Sequence, residues 1–366
     1  MQRPFPRFDQ WESAVFRTET LLASISRESR IIEIGPSYNP LAPRASGWNT
    51  TTVDHLTREG LVAKYRGAGV DISKIEEVDI VWSGGSLSDV VPKDPLGAFD
   101  VFIASHVIEH TPDLVGFLKS AETILNSSGL VILAIPDKRY CFDFFQPITT
   151  TGEVLTAHAE GRSRHTPRLG YDHYAYSVAS GQQIAWGHHP LTSLRFASDL
   201  SEAIAVFKTL ESSREYIDMH AWRFTPSSFQ LLLLELARLD VLDWRVERIV
   251  ESNGCEFYAR LRRGAKVEAL ALDPAELASR RMGLLKQSVL EVQTQIDWLL
   301  AGDRGTADEL SPDRALSLAA LLRREVNRSH GELDAMRNST SWRLTAPLRV
   351  ISRWLRFSVK VIIGNT

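Results

Sequence analysis

The sequence predicts an α/β fold in which a mainly parallel sheet, covered by helices on both faces, ends in an antiparallel hairpin. Three observations carry this. Ile31-Ile32-Glu33-Ile34, Phe99-Asp100-Val101-Phe102-Ile103-Ala104 and Leu130-Val131-Ile132-Leu133-Ala134-Ile135 are apolar runs of strand length closed by Gly, Pro or a polar edge. Apolar residues at helical spacing over 107–124 separate the second run from the third, the alternation expected of strands buried on both faces. Trp244–Val250 and Glu256–Leu261 flank Asn253-Gly254, a hairpin signal. Ligands of such sheets sit beyond the carboxyl ends of the strands, so the residues just after each run are where chemistry is expected.

Taken in order, Phe8, Trp11, Val15, Leu22 and Ile25 predict an amphipathic helix over 9–26. The first strand ends at Gly35, and Pro36, Asn39 and Pro40 make the turn after it. Thr51–Asp54 reads as the second strand, with Asp54 about 20 residues after Gly35, where a doubly wound sheet offers a carboxylate to a ribose. Residues 76–82 suggest a short third strand closed by Ser83-Gly84-Gly85. The fourth strand runs into Ser105-His106, and Pro136 closes the fifth. Residues 144–218 show little periodicity but are rich in His, Tyr and Gly, as in a lid or binding loop. Thr225 suits an N-cap and Pro226 the first helical position, so a helix is expected through about Leu239.

The chain has 366 residues, a net charge of −3 and two cysteines. That balance argues against a nucleic-acid partner, and Cys141 and Cys255 make no disulfide framework, which favours a reducing, cytoplasmic setting. No run approaches the roughly 18 apolar residues of a spanning helix. Beyond about Pro274, Ala278, Met282, Leu285, Val289, Val292, Ile296 and Leu299 form a heptad seam that Gly302–Gly305 interrupts. It reads either as a helical hairpin packed on its own domain or as a homo-oligomer contact over 278–299. A second helix is expected from Ser311-Pro312. In the tail, Arg349, Arg353, Arg356 and Lys360 share a face opposite Ile351, Trp354, Leu355, Val361 and Ile362. Such a helix over 338–366 suits the anionic inner face of a membrane or an assembly partner.

Glu33-Ile34-Gly35-Pro36, Phe99–His110 and Leu125–Ile132 resemble class I S-adenosylmethionine-dependent methyltransferases of the small-molecule and sugar-modifying branch. The runs Ser105–His110 and Ile124–Asp137 are the specific parts, and the likeness spans about 10–263. It implies a Rossmann-like seven-stranded sheet with a terminal antiparallel hairpin, with domain limits at 1–28, 29–263 (144–218 inserted), 264–337 and 338–366. It implies S-adenosylmethionine as cofactor, with Glu33 and Gly35 framing the methionine and Asp54 holding the ribose. Ser83 and Gly84 would border the adenine, and Ser105 and His106 would lie beside the sulfonium. Two departures stand out: Pro36 interrupts the usual Gly-x-Gly-x-Gly loop, and position 83 is Ser where an acid is common.

His106, at a strand end, is the first candidate for the general base, and His110 the second. His158, His165, His173, His188 and His189 have no ligand spacing, so no metal ligands are assigned. Residues 339–349 loosely resemble the tails of bacterial polysaccharide-assembly enzymes, which makes a glycan or sugar intermediate the expected acceptor. A catalytically inactive scaffold of the same fold and a nicotinamide-dependent oxidoreductase are the competing readings. The second is disfavoured by the missing third glycine and the terminal hairpin.

Overall fold

A computed structural model describes residues 14–92, 99–188, 193–214, 216–252 and 254–305. At its centre, β1 (Ile31–Ile34) is buried throughout and lies between β2 (Thr50–Asp54) and β4 (Phe99–Ser105) in parallel register. β3 (Ile80–Val81) adds to β2, and β5 (Leu125–Pro136) to β4, again parallel. The antiparallel pair β8 (Trp244–Glu251) and β9 (Glu256–Arg263) completes a seven-stranded order β3-β2-β1-β4-β5-β9-β8. The predicted sheet and its terminal hairpin are both present. Asn253 and residues 1–13 lie outside the described residues, as do His189, the second helix expected from Ser311 and the tail helix.

Alternation along the strands sends successive side chains to opposite faces. Phe102, Ala104, Val131, Leu133 and Ile135 pack with α3 (Leu87–Val90), α4 (Leu114–Ile124), α5 (Thr151–Ala159) and α8 (Pro226–Arg238). Val101, Ile103, Leu130, Ile132 and Ala134 meet Leu21 of α1 (Ala14–Leu21) together with Leu22, Leu41 and Ala42. The surface helix α2 (Arg58–Tyr65) inserts Leu61, and α9 (Ala265–Ala271) follows β9.

Several expectations are corrected by local chemistry. The third strand shrinks to two residues because Asp79, placed just before it, accepts from Thr52 N (2.7 Å) with its carboxylate and pairs with Arg44. The helix expected over 107–124 starts at Leu114. His106 turns through positive φ, Ile108–His110 makes one 3₁₀ turn, and Pro112 holds Thr111 extended before Asp113 caps α4. Most of the insertion is regular. Thr150 and Glu153 form a capping box on α5, Thr166-Pro167 opens α6 (Pro167–Tyr176), and Asp199 caps α7 (Leu200–Ser212). The pair β6 (Val178–Ser180) and β7 (Leu194–Phe196) lies between them. These caps were visible as Thr-x-x-Glu and Thr-Pro; the absence of an apolar stripe hid the helices.

α10 (Pro274–Gly305) runs through Gly302 rather than stopping there. Its fully buried residues are the polar set Ser288, Glu291 and Gln295, while Val292 and Leu299 of the seam are only partly buried. Glu291 accepts from Ser227 N and Oγ at the first turn of α8, where the helix dipole favours an anion. Met282, Leu285, Val289 and Ile296 of the seam remain exposed. Replacing Glu291 with Ala strands buried donors and is expected to cost about 1–3 kcal/mol in denaturant unfolding. Val289→Lys, on the exposed seam, should change stability by no more than about 0.5 kcal/mol. The reverse ranking would mean that the seam is the packed face.

Candidate active site

Parallel register brings the ends of four strands to one edge. Ile34 pairs with Val53 on one side and Ala104 on the other, so Gly35, Asp54 and Ser105 emerge side by side, with Ser83 and Gly84 beyond β2. Gly35 sits at φ +65°, and a Cβ there would lie 2.9 Å from Val107 Cγ2. Its N–H donates to Val53 O at 2.7 Å, so the turn cannot slide. Ser37 (φ +47°) and His106 (φ +53°) also take the left-handed conformation. Strain of this kind at two adjacent strand ends marks a functional edge.

The two expected acids are occupied inside the protein. Glu33 accepts from Leu41 N (2.7 Å) and Ala42 N (3.1 Å), which shapes the loop after β1. Burial outweighs those bonds and pushes its carboxyl up to about 7. Asp54 accepts from Ser37 N (2.9 Å) and His55 N (2.8 Å), while His55 Nδ1 lies 2.6 Å from it. The Asp54 side chain is fully covered, whereas His55 is partly exposed and lies 2.9 Å from Lys64 Nζ. Ser83 and Gly84 form an exposed turn, with Gly84 at φ +136°.

A second group stands at the ends of β4 and β9. Arg17 reaches from α1 to donate to Ser105 Oγ (2.6 Å) and to both oxygens of Glu256 (2.6 and 3.0 Å). His106 Nε2 lies 2.6 Å from Glu256 Oε2. Burial alone would raise the Glu256 carboxyl, but Arg17 and His106 outweigh it and hold the group well below the usual carboxylate range.

Next to His106 the insertion closes over the motif. Ala221 N donates to Glu109 O at 2.6 Å, so the segment entering α8 is pinned to the 3₁₀ turn. His110 Nδ1 lies 2.8 Å from Asp218 Oδ1, and His220 Nδ1 lies 2.5 Å from Asp143 Oδ2. Burial opposes a charge on His110, yet the contact with Asp218 and the field of Glu109 push it up to about 9. His106, whose Nε2 is held on Glu256 beside Ser105, is the better placed of the two base candidates. Burial drives His165 down to about 4 and His173 down to about 3, so both are neutral.

Gly35, Asp54, Ser83, Gly84, Ser105 and His106 thus stand along one sheet edge with His110 beside them, whereas Glu33 is buried within β1 and turned to the loop backbone. Arg17, Glu109, Asp143, Asp218, His220 and Glu256 were not assigned. Their signal was thin: a lone Glu opening the apolar strand β9, and charges interleaved in the apolar run Asp218–Phe224.

The profile of a family described as a methyltransferase domain matches residues 8–203. No curated protein matches the sequence. Among solved structures, mitomycin 7-O-methyltransferase MmcR matches at 13% identity and TM-score 0.33, over 69% of this chain and 54% of that one. The CcbJ methyltransferase from Streptomyces caelestis matches at 9% identity and TM-score 0.36, over 70% and 100%. Magnesium protoporphyrin IX methyltransferase ChlM from Synechocystis PCC 6803, with SAH bound, matches at 10% identity and TM-score 0.33, over 69% and 82%. The chain spans about half the length of the first of these. Identities this low leave the match over residues 8–203 as the finding that bears on family.

Proposed function

The chain belongs to the methyltransferase-domain family, with S-adenosylmethionine as cofactor, and from that premise we propose that it methylates a hydroxyl of a sugar or glycan intermediate. The residues at the edge fit the cofactor. Gly35 leaves a cradle that a Cβ would close, and the Ser83–Gly85 turn is open to an adenine. Asp54 supplies the acid for the ribose once His55 swings off it. Bound there, S-adenosylmethionine supplies an electrophilic methyl group on a sulfonium.

This chain's own residues supply position and proton transfer. With its Nε2–H donated to Glu256, His106 carries its lone pair on Nδ1, the atom that receives the acceptor's proton. Arg17 fixes Glu256, and Glu256 fixes the ring. Tyr216 Oη donates to His110 O (3.1 Å) and lies 3.3 Å from Asp218, and both residues are partly exposed, a polar mouth suited to a polyhydroxylated acceptor. α6 brings the His173 ring to 6.3 Å from that of His220, with Tyr174 against His173, on one side of that mouth. The observation that carries the reading is the His106–Glu256 pair beside Ser105, across the edge from Gly35.

Isothermal titration with S-adenosylmethionine tests it. Saturable binding is expected, with His55→Ala binding at least as tightly because Asp54 is uncovered. A scaffold would give no heat, and a nicotinamide-dependent enzyme would titrate with the nicotinamide nucleotide instead. Labelled cofactor incubated with sugar nucleotides and lipid-linked glycans then identifies the acceptor. Label transferred only to acceptors that lack hydroxyl groups would overturn the substrate class.

A further inference from the structure

Glu109 is 1% exposed, and neither of its carboxylate oxygens has a hydrogen-bond partner among the described residues. A buried carboxylate left in that state is strongly unfavourable unless something offsets its charge. What surrounds it is specific. Oε1 lies 3.7 Å from His110 Nε2 and 3.9 Å from His220 Nε2, and 3.6 Å from His106 Nδ1. These separations are too long for hydrogen bonds. They are close to the spacing of about 3–4 Å between neighbouring ligand atoms that share one ion at about 2.1 Å each.

We infer that Glu109, His110 and His220 bind a divalent transition cation, with an open position for the acceptor's oxygen. Their ligand atoms lie within 4.8 Å of one another. A second feature points the same way. Each imidazole presents Nε2 to Glu109 with a carboxylate beside its Nδ1: Asp143 hydrogen-bonds that of His220 at 2.5 Å, and Asp218 lies 2.8 Å from that of His110. This carboxylate–imidazole arrangement fixes ring and tautomer so that the other nitrogen faces a metal. Arg223 Nε, 3.4 Å from Asp143 Oδ1, steadies the outer acid of His220. Two imidazoles and one carboxylate suit zinc, manganese, iron or cobalt better than magnesium or calcium, whose preference is for all-oxygen sites.

The ligands come from separate parts of the chain, which is why spacing could not reveal them. Glu109 and His110 lie on the 3₁₀ turn after β4, and His220 is on the loop before α8. This inference rests on the methyltransferase reading for what the ion does. It would polarise the acceptor hydroxyl, so that the oxygen loses its proton to His106 as its lone pair forms the new C–O bond and the C–S bond breaks.

The full-length protein, stripped with EDTA and dialysed against Zn²⁺, tests the site without reference to activity. About one equivalent should bind and raise the melting temperature. Glu109→Gln and His220→Gln should each abolish that rise, and Asp143→Asn should weaken binding by about 10–100-fold. His158→Gln, at a histidine paired with Asp113 outside the cluster, should behave as wild type. Should any variant fold poorly, the melting point of the stripped proteins reports it, and zinc content of the wild type with and without competing Co²⁺, read by its ligand-field absorption, stands in its place. No zinc retained by the wild type, or retention unchanged in Glu109→Gln and His220→Gln, would overturn the inference. Titration with S-adenosylmethionine on the same stripped protein keeps the two readings apart, since cofactor binding without zinc binding refutes only the metal site.

Discussion

Replacing His106 with Gln is expected to lower kcat by about 10²–10⁴-fold while S-adenosylmethionine still binds. Gln keeps a polar side chain on a residue already held at φ +53°, so the backbone turn loses nothing that His supplied. What disappears is the ring nitrogen placed to take the acceptor's proton. Glu256→Gln should reduce turnover by the same route. An amide both donates and accepts, so it no longer dictates which ring nitrogen carries hydrogen, and it leaves the guanidinium of Arg17 without its anion. Rates from single-turnover methylation, set beside cofactor affinities from titration, separate chemistry from binding. Normal single-turnover rates in both variants would move the base elsewhere.

The second large effect is expected at Gly35. Gly35→Ala adds a Cβ to a left-handed residue, a strain of roughly 1–2 kcal/mol, and sets that atom 2.9 Å from Val107 Cγ2. The bond from Gly35 N to Val53 O prevents the turn from sliding away, so the loop proposed to cradle the cofactor must distort. Cofactor affinity should fall by about tenfold or more, the equivalent of about 1.4 kcal/mol, with a lower melting temperature. Adding Val107→Ala removes the contact but not the backbone strain, so the double variant should recover only part of the loss. Full affinity in Gly35→Ala would show that the turn after β1 is not part of the cofactor slot.

Much of the fold was legible because burial on both faces leaves a plain mark. Ile31–Ile34, Val101–Ala104 and Leu130–Ile135 are apolar at every position or nearly so, and they are the parallel centre of the sheet. The helices of the insertion were less legible. α7 exposes Leu200 and buries little beyond Ala203 and Leu210, so its periodicity is weak although its cap is clear. α10 misled for the opposite reason. Met282, Leu285, Val289 and Ile296 of its apolar seam face outward, while Ser288, Glu291 and Gln295 make inward contacts through hydrogen bonds that no hydropathy pattern registers.

From the sequence alone came the order of strands that builds the edge, the glycine that must turn after β1 and the two histidines after β4. Each follows from local chemistry: continuous apolar runs, a missing Cβ, a polar stop. The tertiary structure decided which acids serve which bases. Glu33 is spent on loop backbone and Asp54 is shared between the backbone of Ser37 and His55 and the His55 ring, while Glu256, Asp143 and Asp218 arrive from segments 150, 77 and 108 residues away from the histidines they meet. Long-range pairing of charges is set by how the elements pack, and a charge buried beside a partner distant in sequence carries no periodicity by which to recognise it.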